Sequence, residues 1–97
     1  MAYKLSWSPA ARDDLHNIVV FIARDNSERA MSFGYQLISE IDRLRNFPES
    51  GRIVPEYENQ WLREIIFHPY RMYRVNHDRK ICEIARVWHS SRGVPPL

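Results

Sequence analysis

The chain has 97 residues and a mass of 11.6 kDa; 44% of the residues are hydrophobic and 27% are charged. A chain of this length forms one domain, so we expect a single domain over residues 1–97. It contains no apolar run of the roughly 20 residues that span a membrane, and no continuous apolar stretch of a secretory signal at its start. We therefore expect a cytoplasmic globular protein. The single cysteine, Cys82, excludes an internal disulfide and a multi-thiolate metal site.

Positive charge is concentrated in the second half of the chain. Residues 1–50 carry six Lys or Arg and seven Asp or Glu, whereas residues 51–97 carry eight and five. The net charges of the two halves are therefore −1 and +3. Such clustering fits an anionic partner, either nucleic acid or an acidic polypeptide, but it also fits a solvated sheet face. An excess of three charges alone favours the solvated face.

The N-terminal region predicts a strand followed by a helix. Tyr3, Leu5 and Trp7 alternate with polar residues, which is typical of a half-buried strand. Ser8 is a good N-cap because its hydroxyl can accept a hydrogen bond from a free amide, and Pro9 lacks the donor that the first helical turn leaves unpaired. The apolar residues that follow recur at helical spacing: Ala11, Leu15, Ile18, Val19 and Ile22.

A second helix follows the short polar link at residues 25–27. Its apolar residues recur at helical spacing up to Leu44, and Pro48 ends the helical pattern. A link of three residues predicts that the two helices form an antiparallel hairpin. Because a helical glycine costs about 1 kcal/mol relative to alanine, we expect Gly34 to serve a close approach of the helices.

The rest of the chain predicts an irregular loop at residues 48–61 and then an antiparallel meander of three strands. The strands are joined by tight turns, and the first strand adds to one edge of the meander. The predicted fold is therefore α+β: a helical hairpin packed on a small antiparallel sheet, in the order β-α-α-β-β-β, with an irregular, exposed tail. The three predicted strands of the meander are Leu62–Phe67, Tyr70–Val75 and Lys80–Trp88.

Five segments are familiar as a set: Ser8–Leu15, Phe47–Arg52, Leu62–Ile65, Tyr70–Arg71 and Ile84–Arg92. In their order and spacing, across almost the whole chain, they resemble the ParE branch of the RelE/ParE superfamily. These proteins are the toxin halves of bacterial type II toxin–antitoxin pairs. The resemblance implies a helical hairpin on a small antiparallel sheet. It also implies a small cognate antitoxin that covers the basic surface of the toxin, and the net positive second half predicts that the antitoxin's toxin-binding segment is acidic.

One departure from the family pattern affects the middle strand of the meander. The family usually has two residues between an arginine and a tyrosine here, whereas Arg71 and Tyr73 are separated only by Met72. Strand alternation then places Arg71 and Tyr73 on the same face of the sheet. The resemblance therefore carries a role over to Arg71 but not to Tyr73.

A ribonuclease site is one chemistry that these residues could support. RNA cleavage without a metal needs a base, an acid and a cation beside the phosphate. Arg71 can supply the cation, His89 the acid or base, and Glu56 or Glu58 in the long loop the carboxylate. This set resembles that of some ribosome-dependent RNases of the superfamily. If the chain is an enzyme, we expect Arg71, His89 and Glu56 to be catalytic.

Alternatively, the basic residues of the meander bind a target or the antitoxin from one docking surface. Arg63 and Arg86 could instead pair with Glu64 or Glu83 of the chain itself, or with carboxylates of the antitoxin. Alternation places Arg86 and His89 on opposite faces of the last strand, unless that strand ends or bulges near Trp88. The histidines lack metal-ligand spacing and no glycine-rich phosphate loop occurs, so we expect no metal and no cofactor. The expected binding residues are Arg63, Arg71, Arg86, His89 and Arg92.

Three functions remain open from the sequence. The resemblance to ParE implies a non-enzymatic toxin that binds DNA gyrase, traps it with cleaved DNA and blocks replication. The alternative is a ribosome-dependent mRNA endonuclease, as in the RelE branch. The third is a chain that is no longer toxic and acts as a binding module in an antitoxin complex. All three share the antitoxin as a partner, and none involves a membrane.

Overall fold

The computed structural model describes residues 3–57, 59, 61–77 and 80–96, with the backbone alone described at 76 and 77. Glu58 and the turn residues Asp78 and Arg79 lie outside these ranges. Within them, no helix is long and apolar enough to cross a membrane. Short 3-10 turns lie at Arg43–Arg45 and Ser90–Arg92. The main elements are β1 (Lys4–Trp7), α1 (Pro9–Ala23), α2 (Ser27–Asp42), β2 (Arg52–Ile53), β3 (Leu62–Phe67), β4 (Tyr70–His77) and β5 (Ile81–His89).

The strands form one sheet in the order β1-β5-β4-β3-β2, and the two helices pack on one of its faces. The predicted α+β fold and its antiparallel meander are confirmed. Two features extend the prediction. First, β1 pairs with β5 in parallel, so the sheet is mixed; the helical hairpin between the two strands serves as the long crossover that parallel pairing needs. Second, the loop after α2, expected to be irregular, contributes the short edge strand β2, which pairs with β3.

The start of α1 is fixed to the sheet by the predicted cap. The Ser8 hydroxyl accepts a hydrogen bond from the Ala11 amide at 3.0 Å and donates one to the Ala85 carbonyl at 2.7 Å. The Ser8 amide also donates to the Ile84 carbonyl at 3.0 Å. One serine therefore caps the helix and continues the hydrogen bonding of β5 beyond the end of β1.

The helical hairpin is confirmed, but Gly34 does not have the predicted role. Asn26 caps α2 by accepting a hydrogen bond from the Arg29 amide at 3.0 Å. A Cβ atom at position 34 would lie 3.8 Å from Val19 Cγ2, which is an ordinary van der Waals contact. The helices therefore pack at a distance that alanine would also permit, and the expected close approach is wrong.

Two apolar clusters lie on opposite sides of the sheet. The main core lies between the helices and what we call the inner face, and it contains the free thiol of Cys82, whose pKa is raised by burial. A smaller cluster lies on the outer face, which has no helix over it; it comprises Val54, Leu62, Tyr73 and Trp88. The fully buried members of the main core are Ala11, Leu37, Ile41, Leu44, Met72, Cys82, Ile84 and Val87.

A β-bulge in β5 sets which residues face each cluster. The register passes from Arg86 opposite Tyr73 to Ile84 opposite Arg74, so Ala85 is the extra residue. The bulge precedes both Arg86 and His89, so it does not bring these two side chains to one face. Beyond it, Val87 belongs to the inner core and Trp88 to the outer cluster.

Gly51 provides a test of how closely the loop after α2 approaches β3. Its φ is +91°, and an added Cβ would collide with the backbone carbonyl group of Glu64. We expect Gly51→Ala to lower the free energy of unfolding by more than about 2 kcal/mol, because strain and a backbone clash add together. Gly93→Ala is the matched control: its φ is +73°, nothing lies within 4 Å, and we expect a loss of about 1 kcal/mol. Equal losses in urea unfolding would contradict this account.

Candidate functional site

A buried carboxylate lies at the centre of the outer face. Glu64 is on β3, and its side chain is 0% exposed. It accepts hydrogen bonds from Arg52 Nε and Arg71 Nε, both at 2.6 Å, and forms an ion pair with Arg71 Nη2. The strand register produces this arrangement. Arg52 is directly opposite Glu64, and Arg71 is opposite Ile66, the next residue of β3 on the same face as Glu64. A buried carboxylate needs such compensation, because an unpaired charge is strongly disfavoured in the interior.

Arg71 is held between two carboxylates. One edge of its guanidinium group, Nε and Nη2, faces Glu64; the other, Nη1 and Nη2, donates to Glu56 at 3.3 and 3.0 Å. The guanidinium lies 5.0 Å from the centre of the Tyr73 ring, which confirms that Arg71 and Tyr73 share a face. We call the Nε/Nη2 edge the inner edge and the Nη1/Nη2 edge the outer edge.

The electrostatics of this pair follow from its hydrogen bonds. Glu56 and Glu64 raise the pKa of Arg71, while hydrogen bonds from Arg71 hold the pKa of Glu56 below its usual value. Because the ionised form of Glu56 is the one that binds, this contact stabilises the folded chain above about pH 4.5 and is lost as the pH falls through the lowered pKa.

The predicted ribonuclease residues do not converge. Glu56 and Arg71 are in contact on the outer face. His89, however, lies opposite Tyr70, and their ring centres are 5.3 Å apart on the inner face. Its Nδ1 accepts a hydrogen bond from the Ser91 amide at 3.1 Å. The sheet therefore separates the predicted acid or base from the predicted cation.

His89 instead lines an open groove between α1 and the end of β5. The groove has a volume of about 400 Å³, with Phe21 and Tyr70 among its apolar residues and Arg92 and Ser91 among its polar ones. In the described part of the chain, no group of three or more His, Cys, Asp or Glu side chains could hold a metal ion.

Arg86 is paired with an acid that the sequence did not identify as its partner. Its Nε and Nη2 donate to Asp14 at 2.8 and 2.9 Å, and the Val87 amide donates to the same carboxylate at 3.0 Å. Asp14 raises the pKa of Arg86 through these contacts. The carboxylate of α1 thus covers the edge of β5 where β1 has already ended. Arg86 Nη1 also donates to the Pro96 carbonyl at 3.2 Å, which holds the tail against this edge.

Two arginines contact the indole ring of Trp88. The guanidinium carbons of Arg86 and Arg92 lie 4.5 and 3.8 Å from the centre of the ring, at cation–π distance. Trp88 Nε1 and the Tyr73 hydroxyl are buried, and neither has a hydrogen-bond partner among the described residues. The outer face therefore combines arginines, aromatic rings and two unsatisfied donors.

The remaining predicted residue, Arg63, faces the other way. It lies on the inner face near Arg74 and pairs with Glu49 at 3.4 Å. Arg74 is fully buried and donates to the Ser50 carbonyl, and burial lowers its pKa. The structure does not bring these arginines together on one surface: strand alternation sends Arg63 and Arg71 to different faces, and Arg86 and Arg92 lie at the β5 edge. Their part in binding a target or the antitoxin stays a prediction.

The sequence offered Glu64 only as a partner of Arg63 or Arg86, and its pairs with Arg52 and Arg71 were missed. Alternation places Glu64 on one face with Leu62 and Ile66, but it does not tell which side of the sheet that face is. Asp14 carried no comparable signal, since its partner Arg86 is 72 residues away in sequence.

Glu64→Gln tests whether the buried carboxylate stabilises the outer face. An amide cannot balance the two arginines, so we expect the free energy of unfolding to fall by about 3 kcal/mol. Glu49→Gln is the matched control: it removes the same charge from a carboxylate that is 69% exposed, and it should cost less than about 1 kcal/mol. Urea unfolding of both variants measures the difference, and equal losses would contradict a structural role for Glu64.

Comparison with solved structures identifies the fold. The chromosomal ParDE toxin–antitoxin system from P. aeruginosa includes a chain that matches with a TM-score of 0.73 and 19% identity, over 91% of this chain and 96% of that one. The toxin–antitoxin complex RelBE2 from Mycobacterium tuberculosis matches with a TM-score of 0.59 and 21% identity, over 92% of this chain and 99% of that one. An arginine double mutant of the E. coli toxin RelE in the free state matches with a TM-score of 0.66 and 15% identity. The match covers 96% of this chain and 88% of that one.

The sequence identifies the family within this fold. None of the curated proteins matches the chain. The family model for the ParE toxin of the type II toxin–antitoxin system parDE matches residues 5–94, which is nearly the whole chain. The chain therefore belongs to the ParE toxin family, and it is a type II toxin of the ParE/RelE superfamily.

Proposed function

We propose that this toxin inhibits DNA gyrase and thereby blocks replication, that it does not cleave RNA, and that a cognate antitoxin with an acidic toxin-binding segment neutralises it. Membership of the ParE family supports gyrase as the target. The observation that carries the choice against RNA cleavage is the position of His89, on the opposite side of the sheet from Arg71 and Glu56.

The geometry of the predicted ribonuclease residues does not favour RNA cleavage. A base, an acid and a cation must all reach one phosphodiester group, within hydrogen-bond distance of the atoms that react. Carboxylates occupy both edges of Arg71. His89 lies beside Tyr70, in the groove next to α1. Bringing them to one phosphate would require strand β5 to turn over, which would move Val87 out of the core.

An antitoxin partner is supported by the relatives and by the charge of the chain. Two of the similar structures are a toxin–antitoxin system and a toxin–antitoxin complex. The second half of the chain has an excess of positive charge, and Arg92 is exposed at its end. An acidic segment would be attracted to this region, and β1 at the edge of the sheet could also accept an added strand.

A side-by-side assay tests the proposed target. Freshly released toxin at stoichiometric excess should inhibit supercoiling by purified gyrase and increase the amount of linear DNA recovered after protein denaturation. His89→Gln should act like the wild type, because inhibition by binding needs no acid or base at this position. The same preparations should leave transcripts intact in primer-extension assays on translating ribosomes.

Other results of the same assay would identify the alternatives. Cleaved transcripts that disappear with His89→Gln would establish the mRNA endonuclease and contradict our proposal. Unaffected gyrase, intact transcripts and normal growth on induced expression would favour a non-toxic binding module.

A further inference from the structure

We propose that the outer edge of Arg71 is a binding site for a phosphodiester group of DNA, and that Glu56 keeps this site closed in the isolated toxin. The choice of DNA rests on the proposed function, in which the toxin acts on gyrase together with cleaved DNA. The site itself rests on the geometry of Arg71 and of the segment that carries Glu56.

The two carboxylates on Arg71 differ in how easily they can leave. Glu64 is on a strand, is 0% exposed and also holds Arg52, so the inner edge of Arg71 is permanently occupied. Glu56 is 38% exposed and lies on the loop between β2 and β3. Exposed ion pairs contribute little to stability. A competing anion can therefore displace Glu56 without disturbing Glu64.

The outer edge has the geometry that an oxyanion needs. Nη1 and Nη2 point two N–H groups in parallel, and Glu56 accepts from both of them, at 3.3 and 3.0 Å. The guanidinium fork matches carboxylate and phosphate equally in shape. Glu56 therefore occupies the position that a phosphate would take.

The unsatisfied donors nearby favour phosphate over a second carboxylate. Residues 54–57, which we call the strap, are part of the outer cluster: Val54 is one of its buried members, and Tyr57 packs against it. Displacing the strap beyond Val54 removes Glu56 and uncovers the cluster where Tyr57 covers it. The Tyr73 hydroxyl and Trp88 Nε1 have no acceptor in the described part of the chain, and a phosphodiester with its sugar brings more acceptor oxygens than a carboxylate.

The surroundings of the uncovered site also suit DNA. Without Glu56, Glu64 balances only one of the charges of Arg52 and Arg71, which leaves one positive charge at the opening. Arg92 over the Trp88 ring adds an exposed cation beside an aromatic surface. Arginines next to aromatic rings are the combination with which proteins hold single-stranded DNA. His89 is on the other face, so the site would bind a phosphate without cleaving it.

A pair of charge-matched variants tests the site. Glu56→Gln and Glu49→Gln each remove one carboxylate that pairs with an arginine, but only the first opens the outer edge of Arg71. Binding to a fluorescein-labelled single-stranded DNA of about 20 nucleotides is measured by anisotropy. We expect Glu56→Gln to bind about 10-fold more tightly than the wild type, with a salt slope steeper by about one unit, and Glu49→Gln to change affinity less than about twofold. Adding Arg71→Lys to Glu56→Gln should abolish the gain.

Several results would overturn the proposal. An equal gain in both variants would mean that only net charge matters. No gain in Glu56→Gln, with thermal unfolding unchanged, would show that Glu56 does not close a DNA site. If Glu56→Gln bound a polyglutamate peptide more tightly than the wild type does but bound DNA no more tightly, the site would belong to an acidic protein segment instead. If any of these results occurred while the wild type still inhibited gyrase, the proposed function would stand and only the DNA site would be contradicted. If Glu56→Gln bound DNA more tightly but the wild type did not inhibit gyrase, only the proposed function would be contradicted.

Discussion

The outer face of this toxin depends on one buried carboxylate. Glu64 has no solvent contact, so the cost of removing its charge from water must be offset by the two guanidinium groups that it binds. Those groups come from β2 and β4, on either side of β3, so a single acid links three strands. The same requirement fixes the inner edge of Arg71 and leaves only its outer edge for any other partner.

The local features of the fold and the position of β1 at an edge of the meander were predictable from the sequence, whereas the direction in which β1 pairs and the strand β2 were not. The Ser8 cap, the short link before α2 and the period-two strands all depend on neighbouring residues, and the structure has each of them. The parallel pairing of β1 with β5 joins residues more than 70 positions apart, and the strand β2 has only two residues. Neither carries a periodic signal that a sequence pattern could reveal.

The candidate site was predicted less well, because a sequence gives charges and not their partners. The positive excess of the second half suggested free arginines. In the folded chain, Asp14 and Glu49 from the first half bind Arg86 and Arg63, so two of the arginines of the second half are already paired with acids of the first. The shared face of Arg71 and Tyr73 could be predicted from alternation alone, since it depends only on their spacing.

A fold does not by itself determine a chemistry, so function must depend on which groups meet on which face. In this chain the sheet lies between the imidazole of His89 and the guanidinium of Arg71. The separation keeps the two groups from acting together on one phosphate but leaves anion recognition possible, because an arginine edge binds an oxyanion without help from the other face. A toxin that acts by holding its target needs recognition alone. The arrangement of Arg71 and His89 is therefore consistent with poisoning by binding.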